Sequence, residues 1–159
     1  MPSVGIRPAI IYGPGRDQGM SAAPTVGMLA AQCKQPFHVP FGGEVSYVHA
    51  EDAAIRFISA VGLEREGAPV FDLNGTSANI TEVLDIIKAF IPDADLTYSG
   101  EPLPFPALLD DGKLNAYLDI APCRSLKQGI GDTLAGFEDA QSRGIDLLEL
   151  LGRTVEKAG

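Results

Sequence analysis

Short β-rich apolar runs alternate with helix-period patterns along the 159-residue chain, and no repeat or low-complexity tract interrupts them. A chain patterned this way buries its apolar surface by laying helices on a mostly parallel sheet, so the rhythm implies an α/β fold. The first run holds Val4, Ile6, Ile10, Ile11 and Tyr12 and stops at Gly13-Pro14. Its nearly continuous apolar character after Pro8 implies an interior strand, buried on both faces. A helix from Pro24 to Gln32 follows, then an extended segment from Phe37 to Phe41 closed by a Gly42-Gly43 turn.

The next helix is expected from Ala50 to Val61, where Glu51 and Asp52 favour the helix dipole. Ala54, Ile55, Ile58 and Val61 supply its apolar stripe. Val70-Phe71-Asp72-Leu73 reads as a strand ended by Asn74-Gly75. In NITEVLDIIKAFIPD, Asn79 and Glu82 make a capping-box-like start, and Ile80, Val83, Leu84, Ile87 and Ile91 recur at helical spacing before Pro92. Burying each such side chain is worth roughly 1.5–3 kcal/mol, so this helix must dock on something. Leu96 and Tyr98 mark a further short strand, and EPLPFP is expected to carry the chain over a surface without regular structure. Ser125 and Gln128 repeat the cap arrangement ahead of Leu126, Ile130, Leu134 and Phe137. Gly129 and Gly131 each weaken that helix by about 1 kcal/mol, so packing must hold it. The tail from Asp146 reads as a further amphipathic segment.

With 45% hydrophobic and 21% charged residues, the whole of 1–159 suits one α/β domain with its own core. A net charge of −9 and a pI near 4.5 argue against nucleic-acid or anionic-membrane partners, which need clustered Lys and Arg. No apolar run reaches bilayer length, and Met1-Pro2-Ser3 lacks the start of a secretory signal, so a cytoplasmic location is expected. Cys33 and Cys123 lie far apart with no neighbouring ligand at metal spacing, which argues for buried or idle thiols and against zinc.

No catalytic residue emerges from the inventory. His38 and His49 sit in strand-like stretches without a nucleophile motif and read as structural or partly exposed. Neighbours such as Glu51-Asp52 and Asp110-Asp111 do not converge on one point, so they read as caps and solvated acids. The loop after the first strand is different. Gly13, Gly15 and Gly19 let the backbone approach a ligand, and successive N–H groups with Arg16 could cradle an anion. Its spacing is neither the G-x-G-x-x-G fingerprint nor a phosphate loop, so both a ligand loop and a plain connection stay open.

The run R-P-A-I-I-Y-G-P-G-R-D-Q-G-M, then F-G-G-x-x-S-Y-V-H-A-E-D-A-A, then V-F-D-L-N-G with a capped helix, resembles the NAD-dependent epimerase/dehydratase family, the extended short-chain dehydrogenase/reductases. The likeness follows the family's order over nearly the whole chain but covers only its C-terminal half. The implied fold is the substrate-side part of an extended Rossmann-type short-chain dehydrogenase, without the N-terminal dinucleotide-binding unit. That unit carries the family's glycine-rich pyrophosphate turn and Tyr-x-x-x-Lys pair. Here none of Tyr12, Tyr47, Tyr98 and Tyr117 is followed four residues on by lysine. A Tyr without a nearby cation keeps its pKa near 10, so hydride chemistry by this chain alone is not expected.

The resemblance also implies site positions. Pro8 and Ile11 would neighbour the nicotinamide of NAD or NADP, while Ile10, Tyr12, Arg16, Asp17, Gln18 and Met20 would edge the substrate cleft. Two positions depart from the sugar-nucleotide branch: Ile10 stands where those relatives often carry asparagine, and Val45 or a neighbour where they carry a phosphate-binding arginine. A phosphate without charge-assisted donors is poorly held, so a sugar nucleotide and a less charged metabolite both remain open as substrate. Three roles follow: the substrate-binding half of a nucleoside-diphosphate-sugar epimerase/dehydratase-like oxidoreductase, inactive alone; a non-catalytic remnant that binds a small ligand or a partner; and a homo-oligomerising domain. The partners expected are a small-molecule substrate and either the missing N-terminal half or further copies of the chain.

Overall fold

The computed structural model describes residues 3–63 and 66–158. Met1 and Pro2 of the expected signal-free start, and Gly159 at the end of the expected tail segment, lie outside the described residues.

The first apolar run forms two strands, not one. β1 (Gly5–Pro8) pairs in parallel with β5 (Val70–Leu73), and β2 (Ile10–Tyr12) pairs in parallel with β4 (Glu44–His49). Pro8 is the last β1 residue, and the break falls at Ala9, whose N–H still donates to the Leu73 carbonyl at 3.0 Å before Ile10 takes up register with Tyr47. The expectation of an interior strand is therefore corrected. Among the described residues β1 and β2 each have one strand neighbour, and β1 is half-buried with Arg7 exposed. β4 is the central strand, because β6 (Thr76–Asn79) pairs with it antiparallel on the other side. A third small sheet joins β3 (Phe37–Val39) to β7 (Leu96–Tyr98).

Helices close both faces. A single 3-10 turn, Met20–Ala22, leads into α1 (Ala23–Gln32), which is buried along nearly its whole length. Together with α3 (Ile80–Phe90), α5 (Leu126–Ser142) and α6 (Leu147–Ala158), it encloses the larger core, where Met28, Phe41, Val45, Ile80, Ile87 and Ile130 are fully buried. The smaller core, around Val48, Leu73 and Leu114, lies under α2 (Ala50–Val61) and α4 (Gly112–Leu118). Both expected cap residues start their helices: Ser125 and Gln128 form a reciprocal capping box, whereas Asn79 Oδ1 accepts from the Thr81 N–H at 3.1 Å and not through a box with Glu82.

One helix departs from its expected packing. In α2 the side chains turned inward are Asp52, Ala53 and Arg56, while the apolar stripe faces out: Ala54 and Ile55 are exposed, Ile58 is 73% exposed and Val61 88%. The stripe thus has no partner among the described residues, although its spacing is that of a docking face. No helix among the described residues is long and apolar enough to cross a membrane.

Candidate functional site

The seam between β1 and β2 opens a cleft. Because the chain leaves β5 and joins β4 within one residue, the two sheets part at the carboxyl end of β1, the kind of place where open α/β sheets take ligands. Pro8, Ala9 and Ile10 form the floor of a cleft of about 200 Å³. Ser21 from the 3-10 turn and Ser46 from β4 supply its polar groups, and Phe105, Pro106 and Leu109 close it from the EPLPFP region.

Each wall is held in place. Ser46 is 1% exposed and its Oγ accepts from the Gly75 N–H at 3.0 Å. That bond requires the β5–β6 turn to lie against β4, where a side chain at Gly75 would overlap the Tyr47 carbonyl. The closing loop is tied down by Ser77 Oγ donating to the Ala107 carbonyl at 2.5 Å and by the Leu109 N–H donating to Asn74 Oδ1 at 3.1 Å. The EPLPFP stretch therefore does not simply cross a surface: Leu103 is buried and the residues after it face a cleft.

The candidate residues read from the sequence separate into distinct environments. Pro8 and Ile10 line the cleft. Ile11 points to the opposite face of its strand and packs on the smaller core. Tyr12 and Val45 are buried in the larger core, Tyr12 with its ring edge-on to Tyr47 and to His49 at centroid distances of 6.2 and 5.4 Å. Arg16 and Asp17 line a second, smaller cleft of about 100 Å³ with Thr25, Leu29 and Phe137. Gln18 and Met20 are exposed and line neither cleft. Arg16 connects the two places, since its Nη2 donates to Ser21 Oγ at 2.9 Å. Ser21, Ser46, Phe105 and Leu109 escape sequence reasoning. Serine carries no periodic signal, and the proline-rich stretch was legible only as irregular chain.

Beside Tyr12 lies a charged knot at the start of α2. Arg124 donates from its backbone N–H and its Nε to Asp52 at 2.9 and 3.2 Å, from Nη2 to Glu51 at 2.6 Å and from Nη1 to Asp132 at 2.5 Å. Burial alone would lower the Arg124 pKa, but bonds to Asp52, Glu51 and Asp132 outweigh it and hold the guanidinium firmly charged. Asp52 is thus no solvated cap, being 6% exposed and ion-paired. Arg56, also buried, donates to the carbonyls of Asp52 and Ala121 at 3.1 and 2.8 Å and so fixes the loop that delivers Arg124.

His49 caps α2 by accepting the Glu51 N–H on Nδ1 at 3.3 Å, with Nε2 3.4 Å from the Thr133 hydroxyl. Burial, then the Arg124 charge, push its pKa below the ordinary histidine value. Burial drives the Tyr12 phenol well above its usual range, so it keeps its proton at neutral pH. Burial also lifts the Cys123 thiol to about 11, and that thiol donates to the Asn74 carbonyl at 3.3 Å. A protonated thiol is a poor nucleophile and a poor metal ligand. Among the described residues no group of three or more His, Cys, Asp or Glu could hold a metal ion.

No family model matches the chain, and no curated protein does. Solved structures match its fold. MoeE5, in complex with UDP-glucose and NAD, superposes with a TM-score of 0.73 at 14% identity over 87% of this chain and 48% of its own. UDP-glucose 4-epimerase from Thermotoga maritima, with UDP-glucose, gives 0.70 at 20% identity over 87% and 46%. A partial-consensus L-threonine 3-dehydrogenase gives 0.71 at 17% identity over 84% and 47%. The chain spans about half the length of these proteins. It has the α/β fold of about half of each of these proteins.

Proposed function

We propose that this chain is the substrate-side half of an NAD(P)-dependent oxidoreductase of the epimerase/dehydratase type, and that alone it transfers no hydride. The observation that carries the reading is the cleft at the β1–β2 seam, floored by Pro8 and Ile10 in a fold shared with MoeE5, which is solved with NAD and UDP-glucose or UDP-glucuronic acid. The substrate is a small metabolite; the neighbours MoeE5 and the Thermotoga maritima epimerase are solved with sugar nucleotides, whereas the L-threonine 3-dehydrogenase of the same fold is named for an amino acid, so the fold does not fix the class.

The residues present fit the cofactor only in part. Pro8 lines the cleft, and the resemblance puts its backbone beside the nicotinamide carboxamide; that ring, when bound, would supply the hydride. Ile11 lies on the opposite face of its strand, so only its backbone could serve that end. For the pyrophosphate the chain offers no glycine turn of the fingerprint spacing. A dinucleotide-binding unit must therefore be supplied beside this one. The surface fit for it is β1, which has an unpaired edge among the described residues, next to the outward apolar stripe of α2. The same surface favours self-association as a second reading when the chain stands alone.

Calorimetric titration of the chain with NAD and with NADP tests the proposal. Binding weaker than about 1 mM, roughly 4 kcal/mol, is expected for both. A tighter constant for either would show that these residues hold a dinucleotide by themselves and would overturn it.

A further inference from the structure

Taking the β1–β2 cleft as the substrate site, as proposed above, we infer that its ligand is a small uncharged molecule presenting a carbonyl or hydroxyl oxygen to Ser46 and Ser21, not a nucleoside diphosphate. Three observations converge on it.

The first is the state of the two hydroxyls. Ser46 Oγ already accepts the Gly75 N–H and Ser21 Oγ accepts Arg16 Nη2, at 3.0 and 2.9 Å. Among the described residues neither hydroxyl donates to another protein group. Each therefore has an O–H left to give, and Ser46, 1% exposed, has little water to give it to. A buried donor left unspent is costly, and an acceptor oxygen brought in by a ligand removes that cost. Arg16, behind Ser21, strengthens that hydroxyl as a donor.

The second is the charge of the walls. Pro8, Ala9, Ile10, Phe105, Pro106 and Leu109 are apolar, and no lining side chain is ionisable. A diphosphate in such surroundings would lose its hydration without gaining a cation. Arg124 is committed to three carboxylates and Arg7 to Asp72 at 2.8 and 3.1 Å, while Arg16 reaches the cleft only through Ser21 Oγ and lines the second cleft instead. Val45, where an arginine would have to reach in, is wholly buried in the larger core.

The third is size. On this side of the seam the cleft holds about 200 Å³, room for one ring with an oxygen substituent. The half-exposed Phe105 ring gives such a ring a face to lie against.

The test is a pair of NMR titrations on the full ¹⁵N-labelled chain, one with acetophenone as an uncharged aromatic ketone and one with UDP-glucose, each carried to about 10 mM so that weak binding registers. Acetophenone is expected to move the amide signals of Ala9, Ile10, Ser46 and Leu109 saturably, while UDP-glucose leaves them in place. Ser46→Ala should weaken the ketone about threefold to tenfold, the scale of one lost hydrogen bond. Ser21→Ala, at a less buried position, gives the same readout should Ser46→Ala not fold. Saturable shifts of those amides by UDP-glucose but not by the ketone would overturn the ligand class and leave the cleft standing as the substrate site. Ketone binding indifferent to both serine variants would overturn the assigned hydrogen bonds. If neither compound moves those signals, the placement of the substrate site in this cleft fails, and the inference with it.

Discussion

His49 shows how one side chain joins local structure to global stability. Its ring accepts the Glu51 N–H that starts α2 and stands against Tyr12 and Thr133, all of which is open to a neutral imidazole. Protonation removes the acceptor and places a cation in a desolvated spot near Arg124, so folding holds the pKa down. The unfolded chain then binds more protons than the folded one between the depressed folded value and the ordinary value near 6.5. Stability from this group is complete above about 6.5 and is lost as pH falls through that window. Urea unfolding at a series of pH values should show the midpoint falling below pH 6.5. His49→Asn keeps a cap acceptor and should flatten that part of the profile. A variant as pH-sensitive as the parent would assign the effect to the acids instead.

Among the elements, α5 shows why propensity misjudges a position. Read from sequence, Gly129 and Gly131 only weaken the helix. In the structure Gly129 is where the helix meets Tyr12, and a methyl group there would overlap the phenol oxygen. The glycine permits close approach of α5 to β2, so Gly129→Ala should destabilise by about 1–3 kcal/mol in spite of its better helix propensity. Gly152 of α6 has no atom within 4 Å of an added Cβ, and there the same change should stabilise by about 0.4–1 kcal/mol. Denaturant midpoints of the two variants check the opposite signs. The contrast marks what was legible. The helices α1, α2, α3 and α5 lie where the sequence puts them, α3 and α5 starting at the caps Asn79 and Ser125, as does β5 with its run of apolar residues. β6 is written Thr-Ser-Ala-Asn and α4 Gly-Lys-Leu-Asn-Ala-Tyr-Leu, and neither has a local pattern strong enough to announce itself. They form because β4 and the smaller core need partners. Of the site, Pro8 and Ile10 were legible through their place on the first strand. Ser46 and Phe105 were not, since only tertiary contacts bring them to one seam.

For the molecule as a whole, periodicity says that a helix face is apolar but not what covers it. The α2 stripe satisfies every local rule for a docking face, yet Ile58 and Val61 stand in solvent because the buried side of the helix is given to Asp52, Ala53 and Arg56. Phe57 and Val61 also border an open groove with Val4, so the unpartnered apolar surface continues from the helix toward β1. In the solved structures of this fold the same unit is about half of a longer chain. An isolated copy thus presents both a strand edge and an apolar face, the two features that drive association between identical chains. The net charge of −9 opposes this, but long-range repulsion between exposed charges is screened beyond about 8 Å at physiological ionic strength. Sedimentation of the chain alone at micromolar concentration is expected to give a species heavier than the 16.7 kDa monomer. Ile58→Lys, at a position where the side chain is mostly in solvent and folding is not at stake, should shift it toward monomer. A folded parent that sediments as a monomer would mean that the open edge and stripe do not suffice for association.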